Sequence, residues 1–373
     1  MIEPGGWGGI CHYTYNLCQH LACCGCQVTL VSGTPYELES IPRSFRLEAC
    51  IPGNAPYLRK LRTVLHHLRI ERPDMIHLQG TFSARRDWLP LIFLKHLRLP
   101  VIFTAHNILP HEARERRAAG MRSAYRLLYH LVDRVIVHGQ TAKRDITGLF
   151  KLARTKISVI PHGDYTFADT GTPPEPSESR RWLGLPAHHR VILSFGTIRE
   201  YKGIPDMIDA LARLVREIPN VSLVIAGKPI GIDPETCSAH IRRLGLQDHV
   251  IFRPEYVPFK DISHYFQAAD IAVFPYRAIC QSGALQLAYA FGKPVVVTRV
   301  GSFPETVHDG ENGLVVSPSD PSALATGLIR LLRLAQKDLI QMGRRSRELS
   351  ESQHSWYMVA QKTAGLYAKT LSR

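Results

Sequence analysis

Residues 270–298 read DIAVFPYRAICQSGALQLAYAFGKPVVVT, and this stretch carries the pattern that decides the fold. Its two apolar, β-branched ends predict buried strands, and the segment between Gln281-Ser282-Gly283 and Gly292-Lys293-Pro294 predicts a helix between them. A strand, a helix and a second strand in this order are typical of a parallel α/β unit. At the start of the helix, the backbone amides after Ser282 have no partner within the helix and can hold a phosphate. A simple helix cap at Ser282 explains this stretch equally well.

The same alternation of strand and helix runs through the whole chain. Segments rich in β-branched residues recur between helical stretches, which predicts parallel sheets with helical crossovers. The predicted strands of the first half are QVTLVSG, DMIHLQG, PVIFTAH, RVIVHG and KISVIP. Those of the second half are RVILSFG, VSLVIAG, HVIFRP, DIAVFPY and PVVVTRV. We therefore expect an α/β protein with two Rossmann-like, doubly wound domains.

A segment rich in Pro, Ser, Thr and Gly, DYTFADTGTPPEPSESRR, separates the two series of strands. Such a composition cannot bury an apolar face, so it predicts an interdomain linker. We place the first domain at residues 1–162, the linker at residues 163–182 and the second domain at residues 183–348. Residues 349–373 carry apolar side chains at helical spacing, which predicts an amphipathic helix that packs back on the body.

The beginning of the chain departs from the usual order of a doubly wound domain. The first strand of such a domain normally precedes its glycine-rich turn, yet the turn GGWGG begins here at residue 5. Either the first strand is missing or the true start lies upstream, and we expect the second. The turn also lacks the G-x-G-x-x-G spacing of a dinucleotide site.

Composition limits the class of protein and of ligand. The chain has 373 residues, of which 45% are hydrophobic, and a formal net charge of +14. This length suits two domains, and no apolar run is long enough to span a bilayer, so we expect a cytoplasmic protein. The positive charge favours an anionic partner, either nucleic acid, an anionic membrane surface or a phosphorylated substrate. No sequence signature of a nucleic-acid-binding fold supports the first of these.

Basic residues concentrate in the first half, in the segments YLRKLRTVLHHLRIERP, ARRDW and HEARERRAAGMR. Each segment is more often a solvated helix face than a binding site. Docking of this domain on the inner face of a membrane is the less frequent alternative, and it stays open. The HEARE run does not have the H-E-x-x-H spacing of a zinc site.

Two further features follow predicted strands, at the sheet edge where ligands of open α/β folds bind. His106 follows the strand VIFT, although a histidine in a loop is as often an ordinary surface residue. Arg199 and Lys202 follow the strand RVILSF and precede a helix. A guanidinium and an ammonium in such a turn can neutralise a diphosphate leaving group, whereas elsewhere the pair would be ordinary surface charge.

Together these motifs resemble the GT-B glycosyltransferases of family 4, often called glycosyl transferases group 1. The most specific motifs are FGTIREYKG, AADIAVFPY, SGALQLAYAFGKPVVVTRVGSFPETV and HDGENGLVV, whose order and spacing are similar to those of the family's second domain. The resemblance covers nearly the whole chain. It implies two Rossmann-like domains facing across a cleft, and transfer of a sugar from a nucleotide diphosphate donor, usually with retention of configuration.

The resemblance also implies roles for individual residues. Arg199 and Lys202 look like the catalytic pair that holds the donor diphosphate, and His106 resembles the first-domain histidine near the donor sugar. Gly8 and Gly9 are similar to the loop that approaches the diphosphate. The remaining donor-binding candidates are Gln281, Ser282, Gly283, Ala284 and Glu305. A helix-start carboxylate explains Glu305 equally well.

The chain departs from this family at two positions. Many members carry two glutamates eight positions apart, one near the donor sugar and one on the ribose, and these positions are Ile279 and Leu287 here. An apolar side chain cannot accept a hydrogen bond from a sugar or ribose hydroxyl. Those two contacts must therefore come from other residues or be absent.

No Asp-x-Asp motif occurs in the sequence, and we expect no metal and no cofactor, with the nucleotide diphosphate sugar as substrate. The leading hypothesis is a metal-independent, retaining enzyme that transfers a hexose from a UDP- or GDP-sugar to a glycan or lipid-linked acceptor. The alternative is a catalytically silent relative that binds a nucleotide or glycan as a partner subunit. A sugar-nucleotide epimerase of the same architecture fits the motif order less well.

Overall fold

The structure is a computed structural model of the chain. It describes residues 1–83, 85–96, 98–109, 119–165 and 173–372. Most of the basic segment HEARERRAAGMR and the middle of the expected linker lie outside these residues. The chain divides into two units, the first comprising Met1–Gly163 with His354–Arg373 and the second comprising Asp164–Gln353.

The first unit is built on a parallel sheet of seven strands in the order β3-β2-β1-β4-β5-β6-β7. The strands are β1 (Ile2–Glu3), β2 (Thr29–Thr34), β3 (Arg46–Pro52), β4 (Ile76–Leu78), β5 (Val101–Thr104), β6 (Arg134–Val137) and β7 (Ile157–Val159). The helices that connect them are α1 (Gly8–Cys23), α2 (Tyr57–Glu71), α3 (Trp88–His96), α4 (Ala119–Leu131) and α5 (Gln140–Phe150). This strand order is that of a doubly wound Rossmann-like sheet.

Of the two alternatives for the beginning of the chain, a missing first strand is wrong, and a start further upstream stays a prediction. Ile2 and Glu3 form β1, which pairs in parallel with both β2 and β4 at the centre of the sheet. The strand has only two residues, so it carries no alternating pattern that a sequence analysis can detect. Its glycine-rich turn follows it directly, as the fold requires.

The second unit has a parallel sheet of six strands in the order β10-β9-β8-β11-β12-β13. These strands are β8 (Arg190–Phe195), β9 (Val221–Ala226), β10 (Val250–Arg253), β11 (Ile271–Phe274), β12 (Val295–Thr298) and β13 (Gly313–Val316). Its helices are α6 (Pro176–Leu183), α7 (Ile204–Glu217), α8 (Pro234–Arg243), α9 (Ile262–Ala268), α10 (Gly283–Ala290), α11 (Phe303–Thr306), α12 (Pro321–Leu332) and α13 (Gln336–Gln353). Two parallel, doubly wound α/β sheets confirm the predicted fold class.

Burial on both faces of each sheet explains why these segments form strands. Every residue of β5, β6, β9, β11 and β12 is buried. Parallel strands that are covered on both faces have nearly continuous β-branched and apolar sequences, as these have. The helices pack on them through one apolar stripe, such as Ile204, Met207, Ile208, Leu211 and Leu214 of α7.

The structure differs from the expected linker at residues 163–182. Its described part does not run as an irregular connection, because Pro176–Leu183 forms α6 and packs on α9 within the second unit. Arg180 donates hydrogen bonds to the Ala268 carbonyl and to Asp270 Oδ2. The second unit therefore starts at Asp164 rather than at residue 183.

The C-terminal segment also divides differently from the expected helix at residues 349–373. Residues up to Gln353 complete α13 in the second unit, and α14 (Trp356–Leu371) belongs to the first unit. The buried side chains of Trp356, Val359 and Ala360 pack in the same core as Tyr13 of α1. The amphipathic helix is thus a structural part of the first unit. Within the described residues, no helix combines the length and the apolar character that crossing a bilayer requires.

Candidate functional site

In the second unit, the candidate site residues follow β8 and β11, the two strands between which the strand order reverses. The two strands are neighbours and pair in parallel, with Ala272 opposite Leu193. Loops that leave the carboxyl ends of such strands diverge and leave a crevice in which ligands of open α/β sheets bind. The turn after β8 carries Arg199 and Lys202, and the loop after β11 leads to α10.

The turn after β8 places Lys202 inward. Arg199 precedes a single 3-10 turn, Glu200–Lys202, and is half-buried, whereas Lys202 is buried. The Lys202 ammonium lies 4.8 Å from the centre of the Tyr276 ring, which is a cation–π distance. Burial lowers the pKa of Lys202 below its ordinary value of 10.5, and the charge of Arg199 acts in the same direction. An anionic group that binds beside Lys202 would therefore stabilise its charged form.

The start of α10 lies beside this ammonium. A Cβ atom on Gly196, which has φ +106°, would be 3.1 Å from Lys202 Nζ and 3.7 Å from Ala284 Cβ. A side chain at Gly196 would thus stand between the Lys202 ammonium and the first turn of α10, and its absence lets the two lie close together. Ser282 precedes the helix, and its Oγ accepts a 3.3 Å hydrogen bond from the Leu285 amide. The structure therefore brings Lys202, Ser282, Gly283 and Ala284 together.

Two contacts fix the turn after β8 on the loop after β11. Arg277 donates two hydrogen bonds to Asp206, at 2.9 and 2.7 Å, and its amide donates to the Tyr201 carbonyl at 2.7 Å. Gly203 has φ +67°, and a Cβ atom there would lie 2.0 Å from the Pro275 carbonyl oxygen. Only glycine permits this approach of two backbones, which holds Lys202 in place.

Replacement of Gly203 by alanine should therefore be strongly destabilising. The clash with Pro275 and the left-handed φ should together lower the free energy of unfolding by about 3 kcal/mol or more. Gly245 is the matched control, because its φ is also +67° but a Cβ atom there would meet no heavy atom within 4 Å. Gly245→Ala should cost only about 1–2 kcal/mol in chemical denaturation. Equal losses in the two variants would contradict the close approach at Gly203.

Gln281 directly precedes Ser282 at the start of α10, and Glu305 lies on α11. The Ser302 hydroxyl donates to Gln281 Oε1, and the Ser302 amide donates to the Cys280 carbonyl at 3.2 Å. These bonds hold α11 against the loop before α10. Glu305 is on this short helix, and its side chain is exposed. Gln281 is thus close to Ser282 in the chain and engaged by Ser302, whereas Glu305 faces solvent.

Ile279 and Leu287 belong to the apolar core of the second unit. Both are buried, 8% and 6% exposed, in one cluster with Phe303 and Leu285. Their apolar character therefore has a packing reason. Both side chains face the core, so neither position presents a polar group to a donor.

In the first unit, the glycine-rich turn is held by two carboxylates. Glu3 accepts hydrogen bonds from the Gly5 and Gly6 amides at 2.7 and 2.8 Å. The Gly8 amide, at the start of α1, donates to Glu37 Oε2 at 2.8 Å. The amide of Gly8 therefore already donates to a carboxylate of the protein. Gly9, the next residue of α1, is exposed.

His106 also lies in the first unit, after β5, and both of its ring nitrogens have partners. Nε2 is 3.0 Å from the Gln79 carboxamide oxygen, and Nδ1 is 3.1 Å from His138 Nε2. The ring packs edge-on against Tyr13 of α1, with 4.7 Å between the ring centres. A sugar hydroxyl can hydrogen-bond to this ring only by displacing Gln79 or His138.

The half-buried His106 belongs with the buried His77, His138 and His162 to a group of histidines whose charge is strongly disfavoured. Burial lowers the pKa of His77 and of His162 to about 3 and that of His138 to about 4. Burial, and then the nearby histidines, lower the pKa of His106 well below its ordinary 6.5. All four imidazoles are therefore neutral at physiological pH.

Three features of the site escaped the sequence analysis. Tyr276 supports the Lys202 ammonium, Gly196 brings that ammonium to α10, and the Asp206–Arg277 pair fixes the turn. The one sequence signal for these features was their position along the chain, since Gly196 follows β8 and Tyr276 follows β11. Among the described residues, no three His, Cys, Asp or Glu side chains are grouped as metal ligands.

Two family models match the chain, one in each half. The model for glycosyl transferases group 1 matches residues 189–334, and the model for glycosyltransferase family 4 matches residues 7–163. The matched regions contain the turn after β8, the start of α10, the glycine-rich turn and His106.

Curated relatives agree with these models. The chain is 30% identical over 308 residues to the D-inositol 3-phosphate glycosyltransferase of Corynebacterium efficiens, covering 79% of the chain and 71% of the relative. It is 32% identical over 262 residues to the enzyme of the same name from Acidothermus cellulolyticus, covering 68% of the chain and 56% of the relative.

Solved structures show the same fold at lower identity. Anabaena HepE in complex with UDP-glucose superposes with a TM-score of 0.82 at 19% identity, covering 99% of both chains. Sucrose-phosphate synthase from Thermosynechococcus elongatus superposes with a TM-score of 0.79 at 20% identity, covering 100% of this chain and 96% of the other. The chain belongs to the family 4 glycosyltransferases, also called glycosyl transferases group 1, and has their GT-B fold.

Proposed function

We propose that the protein transfers a hexose from a nucleotide diphosphate sugar to a glycan or lipid-linked acceptor, with retention of configuration and without a metal ion. The observation that carries this proposal is the buried Lys202 ammonium beside the first turn of α10. A buried cation next to free helix amides is an arrangement that binds a diphosphate. It lies where ligands of this fold bind, at the reversal of the strand order.

The proposed chemistry needs charge stabilisation more than proton transfer. When the bond between the sugar C1 and the diphosphate oxygen breaks, negative charge builds up on the leaving nucleoside diphosphate. Lys202, Arg199 and the amides of Gly283 and Ala284 would stabilise that charge in a site of low polarity. The acceptor oxygen forms the new bond to C1 and passes its proton to the departing diphosphate oxygen. We assign no proton transfer to His106, because both of its ring nitrogens are already engaged.

UDP-sugars are the first donors to test, because a structural neighbour, HepE, was crystallised with UDP-glucose. GDP-sugars remain the second choice. The names of the curated relatives add a specific acceptor to the glycan and lipid-linked classes, namely D-inositol 3-phosphate. A panel of acceptors should therefore contain a glycan, a lipid-linked acceptor and D-inositol 3-phosphate.

The test is transfer from labelled UDP- and GDP-sugars by the purified chain, with product stereochemistry read by NMR. Arg199→Ala should lower the rate, and Arg344→Ala on the exposed face of α13 should not. Transfer should persist in excess EDTA, because Lys202 and Arg199 supply the positive charge. Loss of transfer on chelation would overturn the metal-independent mechanism while leaving the donor assignment intact.

The lowered pKa of Lys202 predicts how donor affinity depends on pH. Only the charged ammonium attracts a diphosphate, and a bound diphosphate raises the pKa of Lys202 towards its ordinary value. UDP binding should therefore take up protons, and affinity should fall as pH rises through the lowered pKa of the free protein. Titration calorimetry in two buffers of different ionisation enthalpy measures this uptake. UDP binding without proton uptake, at a pH above that lowered pKa, would contradict a contact with Lys202.

A catalytically silent, nucleotide-binding relative is the second candidate, and the burial of Ile279 and Leu287 favours it. Two charged hydrogen bonds to the donor are each worth roughly 1.5–3 kcal/mol, so their loss without replacement would greatly weaken donor binding. UDP binding with no hydrolysis or transfer from any donor would support this candidate. Turnover that Arg199→Ala abolishes would support the transferase.

A further inference from the structure

The first unit contains a pocket at the end of α1 that is remote from the glycine-rich turn. The pocket lies where α1 packs on α14, and its volume is about 390 Å³. A volume of this size is within the range of sites that bind small molecules. We call it the thiol pocket, and the residues that line it are Cys23, Cys24, Tyr357, Gln361 and Ala364.

One side of α14 forms a wall of the thiol pocket. Tyr357, Gln361 and Ala364 are spaced by four and three residues, so they lie on the same side of the helix. Val359 and Ala360 are buried in the core of the unit and hold α14 in place. The Tyr357 side chain is 59% exposed and Gln361 is also exposed, so a phenol ring and a carboxamide are available to a ligand.

The end of α1 supplies two thiols. Cys23 is the last residue of α1 and is exposed, and Cys24 is half-buried. The next residue, Gly25, has φ +82°, and the Cys26 amide donates a 3.0 Å hydrogen bond to the Leu21 carbonyl. A left-handed glycine and a hydrogen bond of this kind close a helix firmly. This cap fixes the backbone of both thiols beside the pocket.

The other cysteines are less accessible than Cys23. Among the residues that the structure describes, Cys23 is the one exposed cysteine, whereas Cys11, Cys18 and Cys237 are buried. Burial raises the pKa of Cys18 to about 12, so this thiol stays protonated at physiological pH. Only a thiolate attacks a disulfide, so such a thiol does not compete. The half-buried cysteines are Cys24, Cys26, Cys50 and Cys280.

We infer that the thiol pocket is a modification site at which Cys23 forms a mixed disulfide with a small, peptide-like thiol. The oxidant is a low-molecular-weight disulfide, and the Cys23 thiolate attacks one of its two sulfurs. The new S–S bond forms as the old one breaks. The other half of the disulfide leaves as a thiolate and takes up the proton that Cys23 released.

The lining of the thiol pocket suits a peptide-like group. Methylene groups pack on an aromatic ring such as that of Tyr357, and the Gln361 carboxamide can both donate to and accept from a peptide bond. A metal ion fits less well, because no group of three metal-ligating side chains is found in the described part of the chain.

The position of the thiol pocket separates it from the glycine-rich turn. Cys23 is 15 residues after Gly8, about 22 Å along the axis of α1. A group bound at Cys23 therefore leaves the turn free. The modification goes beyond the transfer reaction.

Reaction of the purified, reduced full chain with glutathione disulfide tests this inference, with the modified peptides identified by mass spectrometry. Cys23 should be the first cysteine modified, and Cys23→Ser should remove the fast phase of the reaction. Tyr357→Ala and Gln361→Ala should each slow the reaction at Cys23 by about threefold to tenfold, because each removes one contact with the incoming disulfide.

A smaller reagent separates recognition by the pocket from simple exposure of the thiol. Methyl methanethiosulfonate adds only a methylthio group, so its rate at Cys23 should be the same in the wild type and in the Tyr357 and Gln361 variants. The matched control is Tyr256→Ala in the second unit, where the side chain is 40% exposed, and it should react with glutathione disulfide as the wild type does. Sugar transfer by reduced Cys23→Ser should be unchanged, so this test is independent of the transferase assignment.

Two results would overturn the inference. One is a mixed disulfide that forms at a half-buried cysteine, such as Cys50, as fast as at Cys23. The other is a rate with glutathione disulfide at Cys23 that is the same in the wild type, Tyr357→Ala and Gln361→Ala, which would show an exposed thiol without a binding site.

Discussion

Lys202→Ala should lower kcat for sugar transfer by about 10²–10³-fold, with a smaller change in the KM for the acceptor. Groups that stabilise charge developing in the transition state typically account for losses of this size. Lys202 is buried against Tyr276 and lies beside the start of α10, where its charge would face the departing diphosphate. Initial-rate kinetics with a saturating UDP-sugar measure the effect.

Lys202→Met separates loss of charge from loss of packing, because methionine fills similar space under Tyr276 without an ammonium. It should be as inactive as the alanine variant and should melt within a few degrees of the wild type. The surface control is Lys337→Ala on α13, whose side chain is exposed. A Lys202→Met protein with wild-type kcat would show that the ammonium does not stabilise the leaving group.

Acid should destabilise the first unit steeply because four of its histidines, His77, His106, His138 and His162, have strongly lowered pKa values. Their pKa values in the folded state lie below the ordinary 6.5 of an unfolded chain, at about 3 for His77 and His162 and about 4 for His138. Above pH 6.5 both states are neutral and the full stability is present. As pH falls from 6.5 towards 4, only the unfolded chain takes up protons, and stability is lost at about 1.4 kcal/mol per pH unit per histidine.

Four histidines together give a slope of about 5 kcal/mol per pH unit, against a typical domain stability of roughly 5–15 kcal/mol. The first unit should therefore unfold within about one to three pH units below 6.5. Native-state hydrogen exchange between pH 7 and 5 measures this slope on β4, β5 and β6, with β9 and β11 of the second unit as the internal reference. His138→Gln should reduce the slope by one histidine's share. Protection of β5 that does not change over this range would contradict the neutral cluster.

The strands that are covered on both faces of their sheet could be predicted from the sequence. β5, β9 and β12 appear as apolar, β-branched runs because no residue in them meets solvent. Three strands were not predicted: β1, β3 and β13, the last being a four-residue strand at a sheet edge that begins with glycine. β1 has two residues, and β3 lies at the sheet edge, where most of its side chains are only half-buried. α6 was not predicted, because it is short, buries only Ser179 and Leu183, and therefore has the composition of a linker.

The grouping of the candidate residues in the second unit could be predicted from their positions at the ends of strands. Arg199, Lys202 and Ser282 were proposed because the carboxyl ends of neighbouring parallel strands meet at one edge. Contacts between residues distant in sequence could not be predicted in this way. Glu37 takes the Gly8 amide from 29 positions away, and His138 takes a ring nitrogen of His106 from 32 positions away. These contacts limit what the first unit's residues can offer to a ligand.

A structure of the chain with bound UDP shows whether the start of α10 and the turn after β8 hold the diphosphate. We expect the diphosphate within hydrogen-bonding distance of Lys202 Nζ, of the Arg199 guanidinium and of the Gly283 and Ala284 amides. A diphosphate bound away from the start of α10, or a Lys202 ammonium that stays against Tyr276 with no phosphate oxygen near it, would rule out this site.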